Sequence, residues 1–462
     1  MNSVFKVTSL TVDYDPSMPF ATRVSDDVAA GTCFCARLPA SGRVVLLTNA
    51  HVVEHAHKGA VCISREHLGL GPVAGVQVQM ICPQIDVAVL DASKLASVRP
   101  LTLSCSAPPA DVLIHGYPLA SQRLRTSAGS IDGAYHDAAG APYFNIAGSI
   151  NNGNSGGPVT CARTNAVVGI ACATMADSEA LSLAVPAKAV LRAIAEWEQQ
   201  RVPRLLRLPT LDITTVPVDA HFAHMRRLPN CSGARVVTSA AATLQSDDVV
   251  LAVGARGACR VNELGHVVVD ELSAAEGVPI DSVSCSLSLP LAARVPLQIC
   301  RANVEGAVTV VVNRTLPTYP DTTWPLWEAH DRVHYVTLID GLVLVPLTHN
   351  LLAAFEADGT DAAYVAAAAQ LDAAGGGATA VAWVQPHSAA AAASVQPLML
   401  LQRIDDKPAN NIDACAAVVR AWQAETRLGK RRRYMRLHFN HHFSCVLPKL
   451  VDRMQVKNYC TI

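Results

Sequence analysis

The sequence carries little charge and almost no imbalance between basic and acidic residues. Of its 462 residues, 16% are charged, and 37 basic residues stand against 38 acidic ones, for a net charge of -1. A chain without an excess of one sign has no general electrostatic attraction to nucleic acid or to a membrane surface. We therefore expect no nucleic-acid partner and no membrane partner. The length allows about three domains.

The sequence also shows no pattern typical of a secretory signal or of a membrane span. Its first residues, MNSVFKVTSLTVDYDPS, contain no basic region followed by an uninterrupted apolar run, so we expect no secretory signal. Polar residues and a proline interrupt the alanine-rich stretch 362–401, which argues against a membrane span. The predicted location is intracellular, in the cytoplasm or in the nucleus or nucleolus. The basic run KRRRYMR at 430–436 fits either a nuclear address or one face of a strand.

A cysteine framework is absent as well. The 14 cysteines include no CxxC pair, and a zinc or disulfide framework needs tighter spacings in a smaller chain. Most cysteines lie in apolar, strand-like runs, so we expect buried, reduced thiols. These include Cys62, Cys82, Cys172, Cys285 and Cys300. HFNHH at 438–442 has no thiol or carboxylate partner at ligand spacing. The sequence predicts neither a metal site nor a cofactor.

Short β-strands separated by turn residues dominate residues 22–190. Segments such as RVVLLTNA, DVAVLDA and NAVVGIACATM alternate with clusters rich in Gly, Pro and Ser. This spacing predicts an antiparallel barrel or sandwich. Val190, Ile194 and Trp197 then recur at helical spacing, which predicts a closing helix, and prolines place a boundary near residue 203.

Two further units, 204–325 and 326–462, follow this boundary. The first contains the predicted strands ARVVTS, DDVVLAVG, VPLQICR and AVTVVVNR, with a short possible helix at AAATLQ. The second contains LMLLQRIDDKPANNIDACAAVVRAW, which reads as a strand, a turn and an amphipathic helix. Their similar order of elements suggests a duplicated module.

The segment SINNGNSGGPV at 149–159 presents a serine among small, turn-forming residues. A serine hydroxyl is a poor nucleophile until a base takes its proton, and that base needs a partner to fix its tautomer. His51 follows an apolar strand in VLLTNAHVV, and Asp86 opens the strand in DVAVL. The order His51, Asp86, Ser155 is that of chymotrypsin-like enzymes. Each residue alone is more often structural, but the three together predict a base, an orienting carboxylate and a nucleophile.

The small residues around Ser155 predict an oxyanion hole. Gly153 and Asn154 allow the chain to bend sharply, so that backbone N–H groups converge on one point. We predict that these groups belong to Gly153, Asn154 and Ser155, and that the residues after Ser155 relieve crowding behind it.

Six short segments together resemble the protease domain of the Deg/HtrA family. TNAHVV, DVAVL, HGYP, TSAGSI, NNGNSGGPV and LAVP occur in the order and spacing of the family landmarks, over about residues 25–195. The resemblance implies a mainly β, chymotrypsin-like double β-barrel, with His51, Asp86 and Ser155 as its triad. It also implies a substrate S1 pocket lined by Val168, Gly169, Ile170, Leu183, Ala184 and Val185.

The tail resembles PDZ-like modules of the same family. The segments that show this resemblance are LQSDDVVLAVG and LLQRIDDKPANNIDACAAVV. The tail most resembles the plant and protist Deg branch, which has two PDZ-like domains and a nuclear or nucleolar member. The implied organisation is a protease domain with an N-terminal arm at 1–203 and PDZ-like domains at 204–325 and 326–462. The implied assembly is a homo-trimer or hexamer.

The resemblance implies an ATP-independent serine endopeptidase that acts on unfolded or exposed polypeptide segments. Two alternatives stay open. One is a catalytically silent PDZ scaffold or holdase, against which the intact triad argues. The other is a processing protease of narrow specificity, against which the two PDZ-like modules argue.

Overall fold

A computed structural model describes most of the chain, in two units. The first unit holds the described residues of 1–9, 28–53 and 58–315, and the second those of 10–27, 54–57 and 316–462. The described residues are 2–13, 15–21, 23–54, 56–65, 69–95, 98–104, 109–137, 140–172, 182–200, 205–206, 208, 211, 213–228, 231–239, 241–254, 259–268, 277–288, 294–301, 304–311, 333–339, 341–355, 362–374, 378–427, 434–440, 444–448 and 454–458.

A seven-stranded sheet opens the fold. Its strands are β1 Val4–Asp13, β2 Arg23–Arg37, β3 Val44–Thr48, β4 Ala56–Arg65, β5 Leu70–Ala74, β6 Val78–Cys82 and β7 Val87–Asp91. They are ordered β5-β4-β1-β2-β3-β7-β6. Strands β3 and β7 are antiparallel, and Thr48, the last residue of β3, pairs with Ala88. The residues just after β3 therefore meet the residues just before β7, which brings His51 towards Asp86.

A closed six-stranded barrel follows. Its strands are β8 Asp111–Gly116, β9 Arg125–His136, β10 Pro142–Ala147, β11 Pro158–Cys161, β12 Val167–Cys172 and β13 Ser182–Pro186. Around the barrel the order is β10-β13-β12-β11-β8-β9. The predicted closing helix is confirmed as α1, Ala187–Gln200, with Val190, Ile194 and Trp197 all buried.

One apolar core connects the sheet, the barrel and α1. It contains Phe34 and Val89 from the sheet, Ile170 and Val185 from the barrel, and Ile194 from the helix. Removing these side chains from water is the main force that holds the two β-layers together. A second cluster fills the barrel itself. The sheet and the barrel are thereby held in a fixed arrangement, because they share this core.

The rest of the first unit is a smaller β-rich region. Its elements are β14 Ile213–Pro217, β15 Ala234–Ser239, β16 Val249–Val253, β17 Cys259–Arg260, β18 His266–Val267, β19 Val278–Pro279, β20 Arg294–Arg301 and β21 Val304–Val311, with helices α2 Ala220–Met225 and α3 Val283–Ser288. The main sheet runs β14-β15-β16-β20-β21, β17 pairs with β16, and β18 pairs with β19. The four strands predicted here are confirmed.

The helix predicted at AAATLQ is wrong, because the described residues 241–245 form turns. The Ala241 amide donates to the Ser239 hydroxyl at 3.0 Å, and the Gln245 amide donates to the Asp248 carboxylate at 2.8 Å. Side chains that accept from the backbone in this way compete with helical hydrogen bonds.

The second unit is built on an eight-stranded sheet. Its elements are β22 Val333–Ile339, β23 Leu342–Pro346, β24 Thr379–Val384, β25 Leu400–Ile404, β26 Lys407–Pro408, β27 Tyr434–Phe439, β28 Ser444–Pro448 and β29 Gln455–Asn458, with helices α4 His349–Ala354, α5 Ala362–Ala374, α6 Ala389–Ala392 and α7 Ile412–Arg427. The order is β28-β27-β25-β24-β23-β22-β29, and β26 pairs with β25. The predicted strand, turn and amphipathic helix are confirmed as β25, the turn at 405–406 and α7.

Several predictions about the tail lie outside the described residues. Both predicted boundaries, at 203–204 and 325–326, fall there, as do residues 430–433 of the basic run and His441 and His442. The three-domain division and the PDZ-like character of the two tail sheets stay predictions. Within the described part of the chain, no helix is long and apolar enough to cross a bilayer.

Candidate active site

His51 and Asp86 meet where β3 ends and β7 begins. Asp86 follows a short 3-10 turn and adopts the left-handed conformation, with φ of 53°. The His51 backbone N–H donates to Asp86 Oδ1 at 3.0 Å, and His51 Nδ1 lies 2.8 Å from Asp86 Oδ2. The Asn49 side chain donates to the Asp86 carbonyl oxygen at 2.8 Å. Hydrogen bonds to the side chain and to the backbone of Asp86 therefore hold its carboxylate towards the imidazole of His51.

This geometry determines which nitrogen of His51 carries the proton. A carboxylate oxygen only accepts hydrogen bonds, so the proton of the neutral imidazole belongs on Nδ1. Nε2 is then the acceptor that a general base requires. The His51 side chain is 42% exposed and that of Asp86 is 16% exposed, so the imidazole faces solvent while the carboxylate is shielded.

Ser155 lies on the loop between β10 and β11, and is 4% exposed. Residues on both sides of the loop hold it. On one side, Thr32 of β2 donates through its amide to the Ser155 carbonyl oxygen at 2.8 Å. On the other side, Ala171 of β12 accepts from the Gly156 amide at 2.9 Å and donates to the Gly157 carbonyl oxygen at 2.8 Å. The loop that carries Ser155 is clamped between the sheet and the barrel.

The backbone conformation and the close contacts of Gly156 require a glycine directly after Ser155. It has φ of 83°, and a Cβ there would lie 2.1 Å from the Thr32 carbonyl oxygen and 2.2 Å from Thr48 Oγ1. It would also lie 3.1 Å from the Asn49 amide nitrogen. The loop backbone thus packs directly on the end of β3, next to the segment that leads to His51. The structure brings the Ser155 loop to the His51–Asp86 pair.

The predicted oxyanion donors do not all behave alike. The Asn154 amide donates to the Asn151 carbonyl oxygen at 2.9 Å, so it is engaged inside the loop. The Leu119 amide donates to the Asn152 carbonyl oxygen at 2.7 Å. Since C=O and N–H point in opposite directions in a trans peptide, the Gly153 N–H points away from Leu119. The donor set that this geometry favours is Gly153 and Ser155.

The residues predicted to line the S1 pocket lie on β12 and β13, and all are buried. Val168 and Ala184 belong to the barrel core. Ile170, Leu183 and Val185 belong to the core shared with the sheet. The segment 173–181, which continues from β12, lies outside the described residues. The S1 assignment stays a prediction.

Cys172 is a site residue that the sequence did not single out. It was expected as a buried strand thiol, but it is the last residue of β12, is only partly buried, and its Sγ lies 3.1 Å from Asp86 Oδ2. Its position at a strand end is the one signal available in the sequence. Burial, together with the nearby Cys172 and Asp86, raises the pKa of Tyr143, which stays a neutral phenol beside the site.

His115, in the HGYP landmark, has a structural environment instead. Its Nδ1 lies 2.9 Å from the Thr126 hydroxyl and its Nε2 lies 2.9 Å from the Thr160 hydroxyl. Burial lowers the pKa of His115 to about 4. A neutral imidazole, with one donor and one acceptor, suits two hydroxyl partners.

Residues 31–170 match the family of trypsin-like peptidase domains. Among solved structures, the chain is similar to a variant of the HtrA-type protease AlgW with a decapeptide. The identity is 16% and the TM-score 0.51, over 69% of this chain and 96% of that chain. It is also similar to the serine endoprotease from Yersinia pestis, with 16% identity and a TM-score of 0.43, over 68% of this chain and 95% of that chain. No curated protein matches the sequence.

The matched family segment contains His51, Asp86 and Ser155. It also lies within the stretch that the sequence motifs cover. The predicted mainly β, trypsin-like protease fold is confirmed by this match and by the similarity to the AlgW variant.

Proposed function

We propose that the chain is an ATP-independent serine endopeptidase of the Deg/HtrA type, which cleaves unfolded or exposed polypeptide segments. The observation that carries the proposal is the 2.8 Å contact of His51 Nδ1 with Asp86 Oδ2, beside the clamped loop of Ser155. The trypsin-like family match over the same residues supports it.

In the proposed reaction, the Ser155 hydroxyl attacks the scissile carbonyl carbon while His51 Nε2 takes its proton. The C–N bond then breaks, and His51 returns the proton to the leaving amine. This step leaves an acyl-enzyme on Ser155. Water, activated by His51, then releases the new carboxyl end and restores the serine. Asp86 stabilises the imidazolium that forms in each half-reaction.

Charge develops on the carbonyl oxygen during each attack. We propose that the Gly153 and Ser155 amides receive it, because the Asn154 amide is engaged by Asn151. A donor that is already in place costs no reorganisation at the moment of reaction. Removing one such donor typically raises the barrier by about 3–4 kcal/mol. Holding this loop rigid therefore preserves a contribution of that size to the rate.

The proposed substrate class and assembly follow from the Deg/HtrA likeness. The AlgW variant was solved with a decapeptide, and we extend a peptide ligand to this chain. The two tail units are proposed to be PDZ-like modules that bind peptides by adding a strand to a sheet edge, or that hold subunits together. The proposed assembly is a trimer or a hexamer.

Degradation of an unfolded protein tests the proposal. Wild-type chain, Ser155→Ala and the matched control Ser127→Ala on β9 are incubated with reduced casein, and each is treated with a fluorophosphonate probe that labels an activated serine. Light scattering after size-exclusion chromatography gives the assembly state. We expect cleavage and labelling by the wild type and by Ser127→Ala, and neither by Ser155→Ala.

Two results would overturn the proposal. Absence of cleavage and of labelling by the wild type in every assembly state would favour the silent scaffold or holdase. Labelling without cleavage of any unfolded protein would instead favour a processing protease of narrow specificity.

A further inference from the structure

Three different ligand atoms meet on the side of His51 that faces away from the proposed attack. They are His51 Nδ1, Asp86 Oδ2 and Cys172 Sγ, and all lie within 4.8 Å of one another. Asp86 Oδ2 is the centre of the group, 2.8 Å from the nitrogen and 3.1 Å from the sulfur. In the part of the chain that the structure describes, no other group of three His, Cys, Asp or Glu residues has this spacing.

We infer that His51, Asp86 and Cys172 bind one thiophilic divalent cation of the zinc class, and that this cation reversibly inhibits the enzyme. Imidazole nitrogen, carboxylate oxygen and thiolate sulfur are the three ligand types that zinc takes from proteins. Each ligand comes from a different segment, so the protein can present all three at once. We call these residues the three-ligand cluster.

Two of the three ligand spacings in the cluster are close to what zinc requires. Tetrahedral bonds of about 2.0–2.3 Å separate neighbouring ligand atoms by roughly 3.4–3.6 Å. Asp86 Oδ2 now lies 2.8 Å from His51 Nδ1 and 3.1 Å from Cys172 Sγ, so it must move away from both atoms by about half an ångström. The proposed fourth ligand is a water molecule, and the side chains of His51 and Asp86 are 42% and 16% exposed.

Binding at Nδ1 changes the tautomer of His51. The cation takes the Nδ1 lone pair, so the imidazole proton moves to Nε2, and the Cys172 thiol loses its proton to solvent. One proton is released for each cation bound to the neutral imidazole. With its proton on Nε2, His51 is no longer able to accept the proton of Ser155. This inhibition rests on the proposed function, whereas the binding itself does not.

Cobalt(II) is a direct probe of the thiolate ligand. The full chain is titrated with Co²⁺ in the Ser155→Ala background, which excludes self-cleavage. We expect the intense near-ultraviolet charge-transfer band of a cobalt–thiolate bond at one equivalent, and its loss in Cys172→Ser. Cys231→Ser is the matched control, because Cys231 is also partly buried and lies elsewhere, and it should retain the band. Zn²⁺ should displace the cobalt and abolish the signal.

Zinc inhibition is then measured on Ser155-containing protein. Each variant is compared with its own zinc-free rate of casein cleavage. We expect Zn²⁺ to inhibit the wild type and Cys231→Ser, with recovery after addition of a chelator. In Cys172→Ser the half-inhibiting concentration should rise at least about tenfold, since one protein ligand is lost.

The binding experiment decides the cation site whether or not the chain proves to be a protease. Absence of the cobalt band in the Cys172-containing protein, or a band that persists in Cys172→Ser, would overturn the site. A band that depends on Cys172 together with equal zinc inhibition of wild type and Cys172→Ser would overturn the inhibitory role.

Discussion

Thr32 Oγ1 donates a hydrogen bond to the carbonyl oxygen of Gly153 at 2.7 Å, although the two residues are 121 positions apart. The same hydroxyl accepts from the Tyr117 amide at 3.1 Å. The Thr32 amide donates to the Ser155 carbonyl oxygen at 2.8 Å. One residue of β2, through its hydroxyl and its backbone amide, therefore sets the position of the Ser155 loop relative to both β-layers.

Replacement of Thr32 by valine should slow catalysis without a large effect on substrate binding. Valine has nearly the same shape but leaves the Gly153 carbonyl and the Tyr117 amide without this partner, a loss of about 1–3 kcal/mol. If the loop carries that loss in the transition state, kcat falls roughly 5- to 160-fold. Steady-state kinetics should show the decrease in kcat with KM nearly constant.

The control for this prediction is Thr32→Ser, which keeps the hydroxyl. It should recover most of the lost rate. An unchanged kcat in Thr32→Val, or equal impairment of both variants, would mean that the hydroxyl does not position the loop.

Asp86→Asn should strongly reduce kcat, although it changes the shape of the side chain very little. An asparagine that presents its NH₂ to His51 holds the imidazole with its proton on Nε2, the wrong tautomer for a base. In chymotrypsin-like enzymes the equivalent change lowers kcat by about 10⁴. Asp91→Asn, at the other end of β7, is the control. It should leave the sheet and the position of His51 unchanged. Turnover of a peptide substrate by Asp86→Asn within tenfold of the wild type would contradict the assigned role of Asp86.

The sequence is informative about His51 and Asp86 because their meeting follows from one local strand pairing. His51 follows the apolar strand β3, and Asp86 precedes the apolar strand β7. The antiparallel pairing of Thr48 with Ala88 brings the end of β3 next to the start of β7. Short apolar runs bounded by polar residues suffice to predict the two strands, and the order of His51, Asp86 and Ser155 along the chain predicts that His51 and Asp86 meet.

Thr32 and Cys172 could not be predicted in the same way. Their partners lie 121 and 86 residues away in sequence, and no periodicity relates them. A threonine in a strand and a cysteine after VVGIA both read as ordinary packing residues. The wrong helix prediction at AAATLQ has a comparable cause. The side chains of Ser239 and Asp248 accept hydrogen bonds from backbone amides that would donate to backbone carbonyls in a helix.

Gly156→Ala should destabilise the protease domain and abolish its activity. The added methyl group would lie 2.1 Å from the Thr32 carbonyl oxygen, at a residue whose φ of 83° already disfavours alanine. Strain and overpacking together should cost about 3 kcal/mol of unfolding free energy. Urea unfolding and casein cleavage check both effects.

Gly71→Ala is the matched control for this change. Gly71 lies in β5, and a Cβ there meets nothing within 4 Å. Alanine at that position should leave stability and activity nearly as they are. If Gly156→Ala were as stable and active as Gly71→Ala, the close packing of the nucleophile loop on β2 and β3 would be refuted.

His115 should make the stability of the protein depend on pH in a defined window. Burial lowers its folded-state pKa to about 4, against an ordinary value of 6.5. Above pH 6.5 both the folded and unfolded states hold a neutral imidazole, and its contribution is fully present. As the pH falls from 6.5 towards 4, only the unfolded state takes the proton, so roughly 3 kcal/mol of stability is lost.

His115→Gln removes this titration while keeping a polar group between Thr126 and Thr160. In the Ser155→Ala background, unfolding free energies at pH 7 and pH 4.5 should differ more in the histidine protein than in the glutamine variant, by roughly 2–3 kcal/mol. Carboxylates titrate mainly below this window, and the other histidines are common to both proteins, so the difference isolates one imidazole. An NMR titration that places the His115 pKa near 6.5 would show instead that the barrel tolerates its charge, and the two pH dependences would then coincide.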